Sequence, residues 1–276
     1  MNIKTIHSVL SVIQVHPLLL ILLLLSYFFG LFIEMAALFM LIFIHECGHL
    51  AVAKYFQWEV TRLVIWPFGG VMETKDFYNR PTHEELWVTI AGPVQHIWVF
   101  GVIHLLSFTS VPDYYLDQFI WMNTILLLFN LMPILPLDGG RFLFFMLSHW
   151  IPFHRSILLS TSFSIFMIVI ANGILLLNGW VSPPLIVLST ILWLDNWLTY
   201  KRHYLYLMKH MLARYMYPTV NRNKIHKLEF PIQTSLQEMM KRFRKNHYHF
   251  IQIENQGLLS EDDYLSLLFS AVPPKT

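Results

Sequence analysis

A single cysteine, Cys47, rules out an intrachain disulfide and leaves nothing to indicate an oxidising compartment. Charge is scarce as well: 13% of the 276 residues are Asp, Glu, Lys or Arg, against about 25% in soluble domains. A wholly water-soluble globule is thereby excluded. The surplus of apolar residues, 55% with a mean hydropathy of +0.51, asks for a lipid bilayer and leaves only a modest polar appendage. No glycine-rich phosphate cradle and no basic stretch interleaved with aromatics is present, so a nucleic-acid partner is not expected. Internal repeats and low-complexity tracts are missing too. The last gap is positional. Lys and Arg are absent from three of the five connections between the long apolar runs.

Those runs read as six spans, at roughly 17–33, 35–53, 86–108, 118–140, 157–177 and 184–200. Gly30 and Glu34 mark a tight reversal after the first, which reads as a retained transmembrane helix and not a removable signal. The polar stretch 54–85 carries two short strands, 60–65 and 71–74, around Pro67-Phe68-Gly69-Gly70, which predicts a hairpin dipping toward the membrane. The fourth run meets Pro133, Pro136, Gly139 and Gly140, which no uninterrupted helix would carry. With six spans and a cytoplasmic N-terminus, all 19 basic residues fall on one side, as the positive-inside rule requires. Both termini are then cytoplasmic. From Lys201 onward the composition turns to mixed charge. Thr234 is expected to cap a helix to about Phe243, 247–254 reads as a strand, and Ser260 with Asp263 opens a second helix after the polar bend at Asn255-Gln256-Gly257. The expected fold is an all-α polytopic membrane protein with a short membrane-proximal β-hairpin and a small C-terminal α/β domain. Its parts are a membrane domain over 1–200, a linker over 201–222 and a cytoplasmic domain over 223–276.

The chemistry is concentrated at the end of the second run, in His45-Glu46-Cys47-Gly48-His49. On a helix, His-Glu-x-x-His sets two imidazoles one turn apart on one face, where they can share a metal ion. The adjacent Glu46 is then placed to take a proton from a water at that metal. A charged side chain inside a membrane helix is costly, about 2.5–3.5 kcal/mol on insertion scales, so Glu46 between two histidines is a functional residue by default. Cys47 lies off that face and reads as a small packed side chain. A catalytic zinc site wants three protein ligands and a water. Asp138 is the only acidic residue of the broken fourth run and lies just before Arg141, at the depth of the histidine pair. An Asp-Gly turn at a helix end is the alternative for Asp138; matched depth favours a third ligand. His96 and His104 in the third run read as helix–helix hydrogen-bonding groups, and His16, His149 and His154 as interfacial residues.

His45-Glu46-x-x-His49 together with Asn130-x-x-Pro133-x-x-Pro136-Leu137-Asp138-Gly139 resembles the site-2 protease family of intramembrane zinc metalloproteases, and in particular its sporulation branch. The resemblance implies one Zn2+ held by His45, His49 and Asp138, with Glu46 as catalytic acid/base. It implies substrate-positioning roles for Asn130 and Pro136, and the hairpin turn at Phe68 and Gly69 is expected to hold a substrate segment extended. It implies a tail like a single cystathionine-beta-synthase (CBS) module, with ATP as a possible ligand and a possible route to oligomers. The implied substrate is a membrane-associated sigma-factor precursor, pro-sigma-K, in the mother-cell membrane around the forespore, with inhibitory membrane proteins as partners. A metal transporter or channel with a regulatory tail would use the same ligands, yet gives Glu46 no reason to stand beside His45. An inactive relative that only sequesters clients would not need the intact motif.

Overall fold

The structure, a computed structural model, describes residues 12–66, 69–75, 79–217, 224–254 and 257–269. The chain falls into two compact units, Met1–Lys75 with Trp87–Leu131, and Asp76–Leu86 with Met132–Thr276.

The first unit holds β1 (Ile13–Val15), α1 (Pro17–Phe28), α2 (Phe32–Tyr55), β2 (Val60–Trp66), β3 (Gly69–Thr74), most of α3 (Thr82–Leu106) and α4 (Asp113–Leu131). The expected hairpin is there: β2 pairs antiparallel with β3, Val64 opposite Val71 and Ile65 opposite Gly70. Strand β1 adds to the far side of β2 in parallel, Ile13 opposite Leu63, and so leaves β3 at an edge of the sheet among the described residues. This third strand was not foreseen, because three residues are too few to display an alternating pattern. Leu63 of β2 is buried with Leu50, Ala53 and Val88, and Ile65 with Leu19, Phe39 and Ile42, so the sheet is seated on α1, α2 and α3.

Helix α1 starts on Pro17, where a missing N–H costs no helical bond. It ends in a Schellman turn: Gly30 at φ +72° donates to the Tyr27 carbonyl, and Leu31 to that of Ser26. The twelve residues of α1 reach about 18 Å at 1.5 Å per residue, short of a hydrocarbon core of about 30 Å. Three helices among the described residues are long and apolar enough to cross a membrane by themselves: Phe32–Tyr55, Thr82–Leu106 and Phe153–Leu177.

The second unit contains α5 (Asp138–Trp150), α6 (Phe153–Leu177), α7 (Pro183–Lys201), α8 (His203–Met216), β4 (Lys224–Phe230), α9 (Leu236–Met240), β5 (His247–Ile253), β6 (Leu258–Ser260) and α10 (Glu261–Leu268). Helix α6 is built inside out for water. It buries Ser156, Ser160, Thr161 and Ser164 and turns Leu159, Phe163, Phe166 and Val169 outward. Hydroxyls inside and hydrocarbon outside is the arrangement a helix takes among other helices in lipid. The break ahead of α5 is secured by two such polar side chains. Ser164 Oγ accepts from the Leu135 N–H at 2.9 Å, and Asn196 Nδ2 of α7 donates to the Leu135 carbonyl at 2.6 Å. Non-helical backbone at this depth therefore has its hydrogen bonds supplied by neighbouring helices. A Cβ on Gly140 would lie 2.3 Å from the Ile134 carbonyl carbon, so the turn folds back on α5 at a position only glycine can hold.

The tail runs β4, α9, β5, β6, α10. Strand β5 pairs parallel with β4 and antiparallel with β6. The α9 helix is capped by Ser235, not by Thr234. The helix begins at Leu236, so Ser235, with the extended backbone of an N-cap (φ −69°, ψ 150°), is the residue whose Oγ accepts from Glu238 N–H. Nor does α9 reach Phe243: it stops at Met240, and a turn carries Phe243 into the core, its carbonyl accepting from Phe153 N–H. The segment expected as a linker, 201–222, is largely α8. Leu207 and Met211 of α8 share one core with Phe144, Phe153, Ile157, Leu228, Phe243, Ile251 and Tyr264.

Two buried ion-paired groups stand in this unit. Glu261 accepts from Arg214 through Nε (2.8 Å) and Nη2 (2.6 Å), and its other oxygen takes the N–H and Nδ1–H of His249. Burial pushes His249 down to a pKa of about 4, which keeps the ring neutral, with Nε2 free to accept from Arg244 N–H. Lys245, whose own pKa is held below the usual lysine range by burial, donates to Glu85 at the start of α3. Both side chains are 2% exposed. Removing one partner of a buried pair strands the other charge, so Lys245→Ala is expected to destabilise this unit by about 3–5 kcal/mol, read as thermal unfolding in detergent. The apolar double variant Lys245→Met/Glu85→Leu should return close to wild type, since neither charge is then left behind.

Candidate active site

In α2, Gly48 lets the helix press against α3: a Cβ there would lie 2.5 Å from the Ala91 carbonyl oxygen. This close approach brings the flanking histidines against the same stretch of α3. His45, Glu46 and His49 are all buried, at 3%, 6% and 5% exposure. The i, i+4 spacing places the two rings edge to face with centroids 4.7 Å apart and their Nε2 atoms 3.0 Å apart. With a Glu46 oxygen, the ligand atoms of the three residues lie within 4.8 Å of one another, the grouping among the described residues that could hold a metal ion.

The outward nitrogens are engaged elsewhere. His49 Nδ1 lies 2.7 Å from the Val88 carbonyl, which can only accept, so Nδ1 carries the proton and Nε2 presents a lone pair. His45 Nδ1 lies 3.1 Å from Nε2 of His96 on α3, leaving His45 Nε2 to face His49. Two imidazole nitrogens converging at this distance, with a carboxylate beside them, can share a cation, and a borderline-soft divalent ion with nitrogen ligands suits the donor set. The residues present fit zinc. Glycine makes the room for it. A Cβ on Gly92 would sit 2.3 Å from His49 Nε2, and one on Gly70 2.3 Å from the Glu46 carboxylate. Gly70 instead donates its N–H to Glu46 Oε1 at 2.7 Å, so β3 holds the carboxylate beside the histidine pair.

Of the residues singled out from the sequence, the structure thus brings His45, Glu46 and His49 together in the first unit. Asp138 is buried at the first position of α5 in the second unit, behind the extended Leu137. Pro136 follows the cis peptide Leu135–Pro136 in the break before α5. Asn130 is half-buried near the end of α4, with Nδ2 donating to the Leu126 carbonyl at 3.0 Å. Gly69, at φ +137°, opens β3, and Phe68 lies outside the described residues. Cys47 is half-buried. His104 lies in the exposed last turn of α3, whereas His96 makes the expected helix–helix bond, and makes it to a candidate ligand. Gly92, Gly70 and Asn123 were missed. A signal for the first existed: Val88, Gly92 and His96 recur every four residues, which puts a carbonyl, a gap and an imidazole on one stripe of α3.

Peptidase family M50 matches the chain over residues 33–117 and 109–176. The chain belongs to this family, the site-2 proteases, and is a zinc metalloprotease of that type seated in a membrane. It is 31% identical over 269 residues to the stage IV sporulation protein FB of Bacillus subtilis, covering 94% of this chain and 91% of that protein. It is 31% identical over 155 residues to a zinc metalloprotease of Methanocaldococcus jannaschii, there covering 52% of this chain and 44% of the relative. Among solved structures it resembles the site-2 protease from Methanocaldococcus jannaschii, with a TM-score of 0.54 and 25% identity over 68% of this chain and 90% of that one.

Proposed function

We propose that His45, His49 and Asp138 hold the zinc, that Glu46 is the general base and acid, and that the substrate is a membrane-associated precursor cut near the cytoplasmic face. The observation that carries this reading is the pair of Nε2 atoms 3.0 Å apart with a buried carboxylate beside them. When bound, zinc supplies Lewis acidity toward a water and a peptide carbonyl. Glu46 takes the proton of the attacking water and returns it to the departing amine. Asn130 donates to the substrate backbone or to the oxygen that gains charge. A helical substrate hides its carbonyls, so the segment to be cut must unwind. The edge strand β3, whose Gly70 N–H turns toward Glu46, supports pairing of an extended segment there. Gly69, Phe68 and Pro136 stand in this reading as further substrate-positioning residues.

By likeness to the sporulation protein, the precursor is pro-sigma-K, the membrane is that of the mother cell around the forespore, and inhibitory membrane proteins restrain the enzyme. Six spans with both termini cytoplasmic account for the one-sided basic residues. The order β4, α9, β5, β6, α10 supports a CBS-like tail over 223–276, joined through 201–222 to a membrane domain over 1–200, and a route to oligomers through that tail. ATP at the tail has no support in the comparisons and forms no part of this reading.

The test is co-expression with a candidate precursor, read as a size shift, together with zinc content of the purified chain. Asp138→Ala should lose cleavage and most of the bound zinc, since two histidines alone make a weak site. An Asp138→Ala protein that keeps one zinc and cuts at the wild-type rate removes Asp138 from the site.

A further inference from the structure

The hydrogen bonds around His45 fix more than its position. Asn123 of α4 donates its Nδ2 to the backbone carbonyl of His96 at 3.0 Å. A carbonyl cannot donate, so this bond decides which way the Asn123 amide points, and its Oδ1 lies 2.7 Å from His96 Nδ1. His96 Nδ1 must therefore carry a proton. Buried at 1% exposure, the ring is neutral, so its Nε2 is then an acceptor, and the 3.1 Å contact to His45 Nδ1 is a bond donated by His45. It follows that His45 Nε2 bears no proton and aims its lone pair at the metal side. Asn123 is 0% exposed, His96 1% and His45 3%, so water cannot replace any link of the chain.

We propose that His96 and Asn123 are positioning residues of the metal centre: a relay running from α4 through α3 to α2 that locks His45 in the one neutral tautomer able to ligate through Nε2. His49 has no need of such a relay, because the Val88 carbonyl fixes its tautomer directly. A partner on the remote nitrogen of a ligating histidine orients the ring and raises its basicity, and loss of such a partner costs about 10–100-fold in metal affinity. This rests on the reading of His45 and His49 as zinc ligands, and the experiment separates the two.

The full-length chain is purified in detergent as wild type, His45→Ala, His96→Leu, His96→Gln and Asn123→Leu. Folding is followed by gel filtration and by unfolding of the metal-free protein, zinc affinity by competition with a chromophoric chelator, and ligand geometry by the visible spectrum of the cobalt form. His96→Leu should bind zinc about 10–100-fold more weakly, with a changed cobalt spectrum. His96→Gln should stay within a few-fold of wild type, about 3-fold at most, because its side-chain carbonyl can accept from His45 Nδ1–H. Asn123→Leu should fall between them. Wild-type affinity in His96→Leu, beside a His45→Ala protein that has lost its zinc, overturns the relay and leaves the zinc site standing. Equal weakening in His96→Gln and His96→Leu also overturns it, since the acceptor would then not be what matters. Full affinity in His45→Ala overturns the zinc site and the relay with it. Where His96→Leu does not fold, Asn123→Leu decides alone: unchanged affinity there overturns the relay.

Discussion

Glu46→Gln is expected to leave the protein folded and zinc-loaded while lowering the rate of precursor cleavage by at least about 100-fold, the lower end of what general acid–base catalysis contributes. The substitution is chosen for what it keeps. Glutamine has the length of glutamate and retains a carbonyl oxygen, so it can still accept the Gly70 N–H that ties β3 to this side chain at 2.7 Å. The hairpin stays docked and the pair His45 and His49 is untouched. What is lost is the capacity to take a proton from water and give it to an amine. Glu46→Asp would be a poorer test, because a side chain one methylene shorter loses the Gly70 contact together with the reach to substrate, and two causes would then be mixed. The measurement is the size shift of a co-expressed precursor, with zinc content of the purified variant as the control for the site. A Glu46→Gln enzyme that cuts at the wild-type rate would assign the proton transfer to another group.

How much of this was legible beforehand follows from what each signal can carry. A helical repeat reports which residues share a face of one helix, so His45 and His49 could be paired from their spacing alone, and Glu46 with them. It does not report what faces that stripe from elsewhere. The Gly70 N–H reaches Glu46 across 24 positions, and His96 reaches His45 across 51. Each is one hydrogen bond between distant segments, and neither leaves a periodic trace. The hairpin was readable because β-branched residues flank a Pro-Phe-Gly-Gly turn. Its parallel partner β1 was not, being three residues long. Hydropathy likewise marked the apolar runs without measuring helix length: α1 takes twelve residues of the first run before Gly30 at φ +72° ends it. In the tail, Thr234 and Ser235 are equally good caps by type, and only the backbone decides between them, by starting the helix at Leu236 directly after an extended Ser235.

Gly92→Ala, a change of one methyl group, should remove the metal. The added carbon would lie 2.3 Å from His49 Nε2, 2.5 Å from its Cε1 and 2.7 Å from Cε1 of His45, inside the contact distance of every one of them. Neither ring can retreat cheaply. His49 is tied through Nδ1 to the Val88 carbonyl, on the same helix one turn before Gly92, and His45 is tied to His96 one turn after it. The helices cannot part to make room, because Gly48 of α2 already rests on the Ala91 carbonyl. The methyl group therefore competes for the volume in which the two ligand nitrogens meet. Zinc affinity is expected to fall by more than the roughly 100-fold that loss of an outer partner can cost, and overpacking should cost about 1–3 kcal/mol of stability besides. Gly101→Ala is the matched control: it is the same substitution in the same helix, where a Cβ would meet nothing within 4 Å. Any effect of alanine on helix propensity is common to both variants, so a difference in bound zinc, measured by chelator competition, isolates the steric contact. If Gly92→Ala holds zinc as tightly as Gly101→Ala does, the histidine nitrogens do not meet against α3, and the metal centre must be sought on another face of α2.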